Sequence, residues 1–155
     1  AAAKPFNWVQ ALWIGLGVGA FFILLLFSLP WLIWQYLNNK AKSNTASTRT
    51  KAYNIYVASM YYLNQLGITR ENQSPQQFAQ SADKRFGSNF TSFTNIYQKV
   101  KYSNVPLTGK EETLVQFFYT PFIKRVKSNI PFKERFSSFL NIYNTLHYFT
   151  KSKIG

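Results

Sequence analysis

LWIGLGVGAFFILLLFSLPWLIW, residues 12–34, decides the architecture of this chain. It lies within a charge-free run over residues 5–39, and Lys40 and Lys42 follow at once. A helix rises 1.5 Å per residue, so roughly 20 mostly apolar residues cover the roughly 30 Å of hydrocarbon in a bilayer; this run is long enough to cross with some tilt. Aromatic residues mark its ends, Trp8 and Trp13 on one side and Trp31, Trp34 and Tyr36 on the other, where an interfacial belt places amphipathic rings. A secretory signal is shorter, begins basic and ends in small residues, whereas this run ends in Pro30, Trp31, Leu32, Ile33 and Trp34. The expectation is a transmembrane anchor over residues 1–39; a buried core helix and a re-entrant segment are the alternatives.

Charge near the two ends sets an expected orientation. Lys4 stands alone on the N-terminal side, while Lys40, Lys42, Arg49 and Lys51 crowd the other with no acidic residue among them. The C-terminal part is therefore expected in the cytoplasm beneath a bacterial inner membrane, or on the matrix or stromal side of an organelle. The same four cations are the expected contacts to anionic lipid, each gaining about 1 kcal/mol near such a leaflet. The Asn89-Phe90-Thr91 pattern matches a glycosylation acceptor, but a pattern so short arises by chance and matters only in a lumen. Within the run, Gly15 and Gly19 have the small-xxx-small spacing that lets a second membrane helix approach, with Gly17 between them.

Of the 18 Lys and Arg only Lys4 precedes residue 40, so 17 face all 5 Asp and Glu beyond it, a net +12. Contact with a membrane surface and solvation of helix faces explain that excess without nucleic acid, for which no motif is present. About 100 residues beyond the run make one small domain. The 19% aromatic content supplies its core, since each buried ring hides about 150–250 Å². With no cysteine, disulfides, thiolate metal sites and a cysteine nucleophile are excluded.

Residues 40–50 read as a basic polar tether with a helix beginning inside it, and residues 51–150 as an all-α domain of four to five helices, followed by a basic tail at 151–155. Tyr53, Tyr56, Met60, Leu63 and Leu66 repeat at three and four, and Gly67 closes that helix. Ser74-Pro75 caps a second, expected to stop at Gly87. Phe90, Phe93, Tyr97 and Val100 mark a third. Thr108 with Glu111 forms a capping box for a fourth, carrying Leu114, Phe117, Phe118, Phe122 and Val126 inward, in which Pro121 predicts a kink or break near Phe117. A last helix over residues 131–150 presents Phe132, Phe136, Phe139, Tyr143 and Leu146 as one stripe, which either closes the domain's own core or meets a partner.

Catalytic groups do not converge. His147 is the one histidine and has no Cys or His partner. Glu111 and Glu112 point about 100° apart on a helix and fit its first turn through the dipole. Asp83 and Glu134, beside Lys84 and Arg135, read as surface charges. No metal, cofactor or small-molecule substrate is expected.

The motifs Ala52-Tyr53-Asn54-Ile55-Tyr56, Leu63-Asn64-Gln65-Leu66-Gly67-Ile68-Thr69-Arg70, Gln73-Ser74-Pro75-Gln76-Gln77-Phe78-Ala79 and Phe93 to Tyr102 resemble the small cytoplasmic domain of unknown function that closes bacterial membrane-bound transglutaminase-like proteins. The resemblance covers residues 52–127 and rests on the order of several weak motifs. Gln77 stands where that family usually carries an acidic residue, and residues 131–150 run past its usual end. The family's Cys, His and Asp would precede the span, and none is in this chain, so the resemblance implies either a fragment of a longer protein or a stand-alone subunit. The expected role is anchoring and protein–protein contact with other membrane subunits, without catalysis; the alternative is an accessory single-span subunit of an organellar complex such as a respiratory one.

Overall fold

A computed structural model describes residues 2, 5–44 and 46–151, and among these all regular structure is α-helical. In chain order the helices are α1 (Trp8–Lys42), α2 (Thr48–Gln65), α3 (Pro75–Phe86), α4 (Phe90–Tyr102), α5 (Gly109–Asn129), α6 (Phe132–Phe139) and α7 (Ile142–Lys151). A long apolar helix leading into a helical domain is the architecture expected from the sequence.

Helix ends follow from their capping residues. Asn7 accepts a hydrogen bond from the Gln10 amide to open α1. Ser74 and Gln77 form a reciprocal capping box at α3, with Pro75 in its first turn. Gly87, at φ 60°, ends α3 in the left-handed conformation that a side chain would resist. Asn89 at the start of α4 makes no side-chain cap bond. The Asp83 carboxylate replaces it, accepting from the Phe90 amide at 2.6 Å, the Thr91 amide at 2.9 Å and the Ser88 hydroxyl at 2.6 Å. Asp83 therefore joins two helices, a role its sequence position beside Lys84 did not disclose.

Three boundaries differ from expectation. First, α1 continues through Lys42 into the expected tether, which also holds the start of α2 at Thr48; Ala41 is buried, and nothing in Asn38-Asn39-Lys40-Ala41-Lys42 breaks a helix. Second, α5 runs unbroken past Pro121. Val115 and Phe118 before it and Phe122, Ile123 and Val126 after it are all buried and hold both halves to the core, while Pro121 and Phe117 lie on the exposed side. Phe117, expected inward, is 70% exposed. Third, the last helix is two helices that break at Leu140 and Asn141.

The core lies between α2, α4 and α5. Phe90, Phe93, Phe118 and Phe122 stack with centroids 4.4–5.9 Å apart. Tyr56 lies flat on Tyr97 at 3.7 Å, and the Arg70 guanidinium beside the Tyr56 hydroxyl ties in the loop after α2. Those tyrosines and Arg70 are the residues of the family-like motifs, and here they are packing residues.

Candidate membrane interface

α1 divides along its length by what covers it. Large side chains from Trp8 to Leu29 stand open, Trp8 at 77% and Leu24 at 70% exposure, and no helix of the domain packs on the apolar window. Residues 8–29 amount to about 33 Å of helix, against roughly 30 Å of bilayer hydrocarbon. One helix of the described residues is thus long and apolar enough to cross a membrane. From residue 30 onward the same helix enters the domain. Pro30, Trp34 and Ala41 are buried, and Ile33 and Leu37 are partly so. The positions 30, 33/34, 37 and 41 trace one face.

α2 folds back antiparallel along that face. Trp34 packs on Tyr62 with centroids 4.4 Å apart and on Phe139 at 6.4 Å. Trp34 is therefore a core residue and leaves the interfacial belt. Trp31 and Tyr36, on the open side of α1, remain 53% and 59% exposed, as do Trp8 and Trp13 at the far end. Gly15, Gly17 and Gly19 have open space where a Cβ would stand.

A polar network locks α1, α2, α6 and α7 together. The Tyr61 hydroxyl donates to the Pro30 carbonyl at 2.9 Å, and burial pushes its pKa up, which keeps the proton in place. Gln65, fully buried at the end of α2, donates to the Ser138 and Asn141 carbonyls and accepts from the Thr145 hydroxyl at 2.9 Å. Asn64 donates to the Asn144 carbonyl, and Asn144 returns a bond to the Gln65 carbonyl. At the break between α6 and α7, Asn141 opens α7 by accepting from the Tyr143 amide at 3.0 Å, and the buried Gln65 amide ties down the carbonyls on either side of Leu140.

The four cations expected at lipid have other surroundings. Lys51 is 5% exposed, its ammonium held by the Asn44 and Gln116 amide oxygens. Arg49 donates to the carbonyls of Val100, Ser103 and Val105 and so closes the C-terminal end of α4. Lys40 lies over the Tyr36 ring at 4.7 Å. Lys42 is about 18 Å along the helix from Pro30, beyond a Debye length of about 8 Å. The sequence counted these residues as next to the apolar run; the helix instead carries them to the far end of the domain. Arg135 on α6 stands beside Tyr62, the partner of Trp34, and Lys133 is exposed on the same helix. Lys127 has its pKa lowered, by burial first and then by the charges of Arg135 and Lys42. Among the described residues Lys99 and Glu111 form the one ion pair, so these cations have no carboxylate partner.

The aromatic stripe splits. Phe139 packs into the core on Trp34 and Tyr62, whereas Phe132, Phe136, Tyr143 and Leu146 are 58–71% exposed. His147 is half-buried against Tyr143. Among the described residues no three His, Asp or Glu side chains gather as metal ligands. Glu111 serves the α5 cap and Lys99, and Glu112 stands beside it in the first turn.

No family model, curated protein or solved structure matches the chain. The resemblance to the closing domain of transglutaminase-like proteins is carried by the motifs of residues 52–127 alone.

Proposed function

We propose that this is a single-span membrane protein whose basic helical domain is held against the cytoplasmic face of the bilayer, or its organellar equivalent, and serves as an anchored contact module without catalysis of its own. One observation carries it: residues 8–29 of α1 are bare and apolar, while residues 30–42 of the same helix are core of the domain. A span so joined holds the domain at a fixed height and in a fixed orientation relative to the span itself, where a flexible tether would let it wander. Contact with other subunits has two available surfaces. In the membrane it is the open glycine face at Gly15 and Gly19. On the domain it is a groove of ≈ 350 Å³ lined by Asn89, Lys110, Leu114, Phe117, Pro121 and Arg125, whose apolar floor and basic rim suit an acidic segment of a partner that also carries apolar side chains.

Cysteines introduced singly at Ala2 and Thr113 test the topology in intact cells with a membrane-impermeant maleimide. Ala2→Cys is expected to label at once, and Thr113→Cys only after the membrane is opened. The reverse pattern overturns the orientation, and release of the chain from membranes by alkaline carbonate overturns the span.

A further inference from the structure

After the domain has closed its core, α6 and α7 still present Phe132, Phe136, Leu140, Tyr143, Leu146 and Phe149 at 40–71% exposure. On α7, Tyr143 and Leu146 lie opposite Thr145 and Tyr148, which face α2. The row has a definite height along α1. Thr145 and Phe149 flank Tyr61, at 3.3 Å between hydroxyls and 6.3 Å between rings, and Tyr61 is bonded to the Pro30 carbonyl. Phe139, between the exposed residues of α6 and those of α7, touches Trp34. So α6 and α7 sit beside residues 30–34, where about 33 Å of bare helix has just ended and Trp31 and Leu32 are still half-exposed. At that height the surroundings of a span are headgroups and the first carbons of the acyl chains.

We infer that α6 and α7 form an interfacial helical pair, whose apolar row enters the headgroup–acyl boundary of the leaflet from which α1 emerges, with the exposed Lys133 of α6 beside it to meet phosphates. The inference rests on α1 being a span. Three features favour lipid over a protein as the occupant. The row lies at the height of Pro30 and Trp34, where Trp31 and Leu32 of α1 are still open. Among the described residues Lys133 pairs with no carboxylate, and it stands exposed next to Phe132, so charge and apolar surface are presented together. Short helices with aromatic and leucine residues on one side and basic residues beside them are the composition of segments that lie about 5–10 Å into an interface. The consequence is mechanical: a span fixes position but leaves rotation and tilt free, and a second attachment at the same leaflet removes both.

The absence of cysteine makes single-site labelling direct. Nitroxides at Phe136→Cys and Leu146→Cys, with Ile23→Cys in the bare part of α1 and Thr113→Cys on exposed α5 as references, are read in the full chain in phosphatidylcholine–phosphatidylglycerol nanodiscs by collision with oxygen and with a water-soluble nickel chelate. Both interface positions are expected to show an oxygen-to-nickel ratio several-fold above that of Thr113 and approaching that of Ile23. If they match Thr113 while Ile23 is oxygen-rich, the inference is overturned and the span stands. Shielding of both positions from both reagents means a protein covers the row, which also overturns it. A nickel-accessible Ile23 removes the span and the inference with it.

Discussion

Residues 8–29 and residues 30–42 belong to one unbroken helix, and their apolar composition runs smoothly across the junction, yet one part meets no other part of the chain and the other is core. Hydropathy sees a single segment there. Periodicity sees two, because residues 12–29 are apolar all round, whereas from Pro30 the buried positions 30, 34 and 41 and the half-buried 37 alternate with open Trp31, Tyr36 and Lys40. Lipid accepts an apolar side chain in any direction; a protein core accepts it only on the side where α2 lies.

The sharpest way to break this comparison is to remove one tryptophan from each part. Trp34→Ala leaves a cavity against Tyr62 and Phe139 and is expected to cost the domain about 3–5 kcal/mol. Trp13→Ala, at a residue 69% exposed and remote from the domain, is expected to leave domain unfolding unchanged. Denaturant unfolding of the full chain in micelles, followed by tyrosine near-ultraviolet circular dichroism, compares the two. Equal midpoints would mean that the domain does not use α1 as core.

Much of the fold was legible because local chemistry dictated it. The capping residues Ser74 and Thr108, the stop at Gly87 and the three-and-four spacing of Phe90, Phe93 and Tyr97 each act within one helix, and each was read correctly. What escaped depended on distant residues. The break at Leu140 and Asn141 is held against α2 by Gln65, more than seventy residues earlier, which local sequence does not disclose, although the Asn141 cap of α7 is itself local. The unbroken α5 reflects tertiary packing that overrides Pro121. Trp34 and Lys51 resemble interfacial and surface residues by type, and their burial follows from α2 folding back, which periodicity after Pro30 could have signalled. Of the candidate interface, Trp8, Trp13, Trp31 and Tyr36 were legible as open aromatic residues at the ends of the apolar run, while Lys133, Arg135 and Phe149 were not singled out, because their height relative to α1 exists only after folding.

Removing the buried amide at the end of α2 asks whether α6 and α7 belong to the covered part of the comparison. Gln65→Leu keeps a side chain of similar size but leaves the Ser138 and Asn141 carbonyls and the Thr145 hydroxyl short of a partner, an expected loss of about 1–3 kcal/mol. Hydrogen exchange should localise it: amides of α6 and α7 lose protection, while those of α4 and α5 keep theirs. A uniform loss across all helices would show that the network supports the whole core rather than the attachment of the last two helices.

The smallest effect belongs at the other end of the domain, at the pair of Lys99 and Glu111, separated by 2.8 Å and about a quarter exposed. Glu111→Gln keeps an oxygen to accept from the Thr108 amide and removes only the charge. The hydrogen bond from Lys99, and then that from the Thr108 backbone, hold the Glu111 pKa below its ordinary 4.5. A carboxylate with a lowered folded pKa stabilises the fold above the unfolded value and loses that contribution as pH falls through the folded one. The parent should therefore lose slightly more stability than Glu111→Gln as pH falls below 4.5, and the two curves should run parallel at neutral pH with only a small offset, as exposed pairs contribute little. With Trp8, Trp13 and Trp31 replaced by Phe so that Trp34 alone emits, the emission maximum should be the same with and without Glu111→Gln throughout, because the covered part of α1 is far from this pair. A shift of that emission on losing the Glu111 charge would join the two ends of the domain and remove the division drawn here between α1 with its attached helices and the rest.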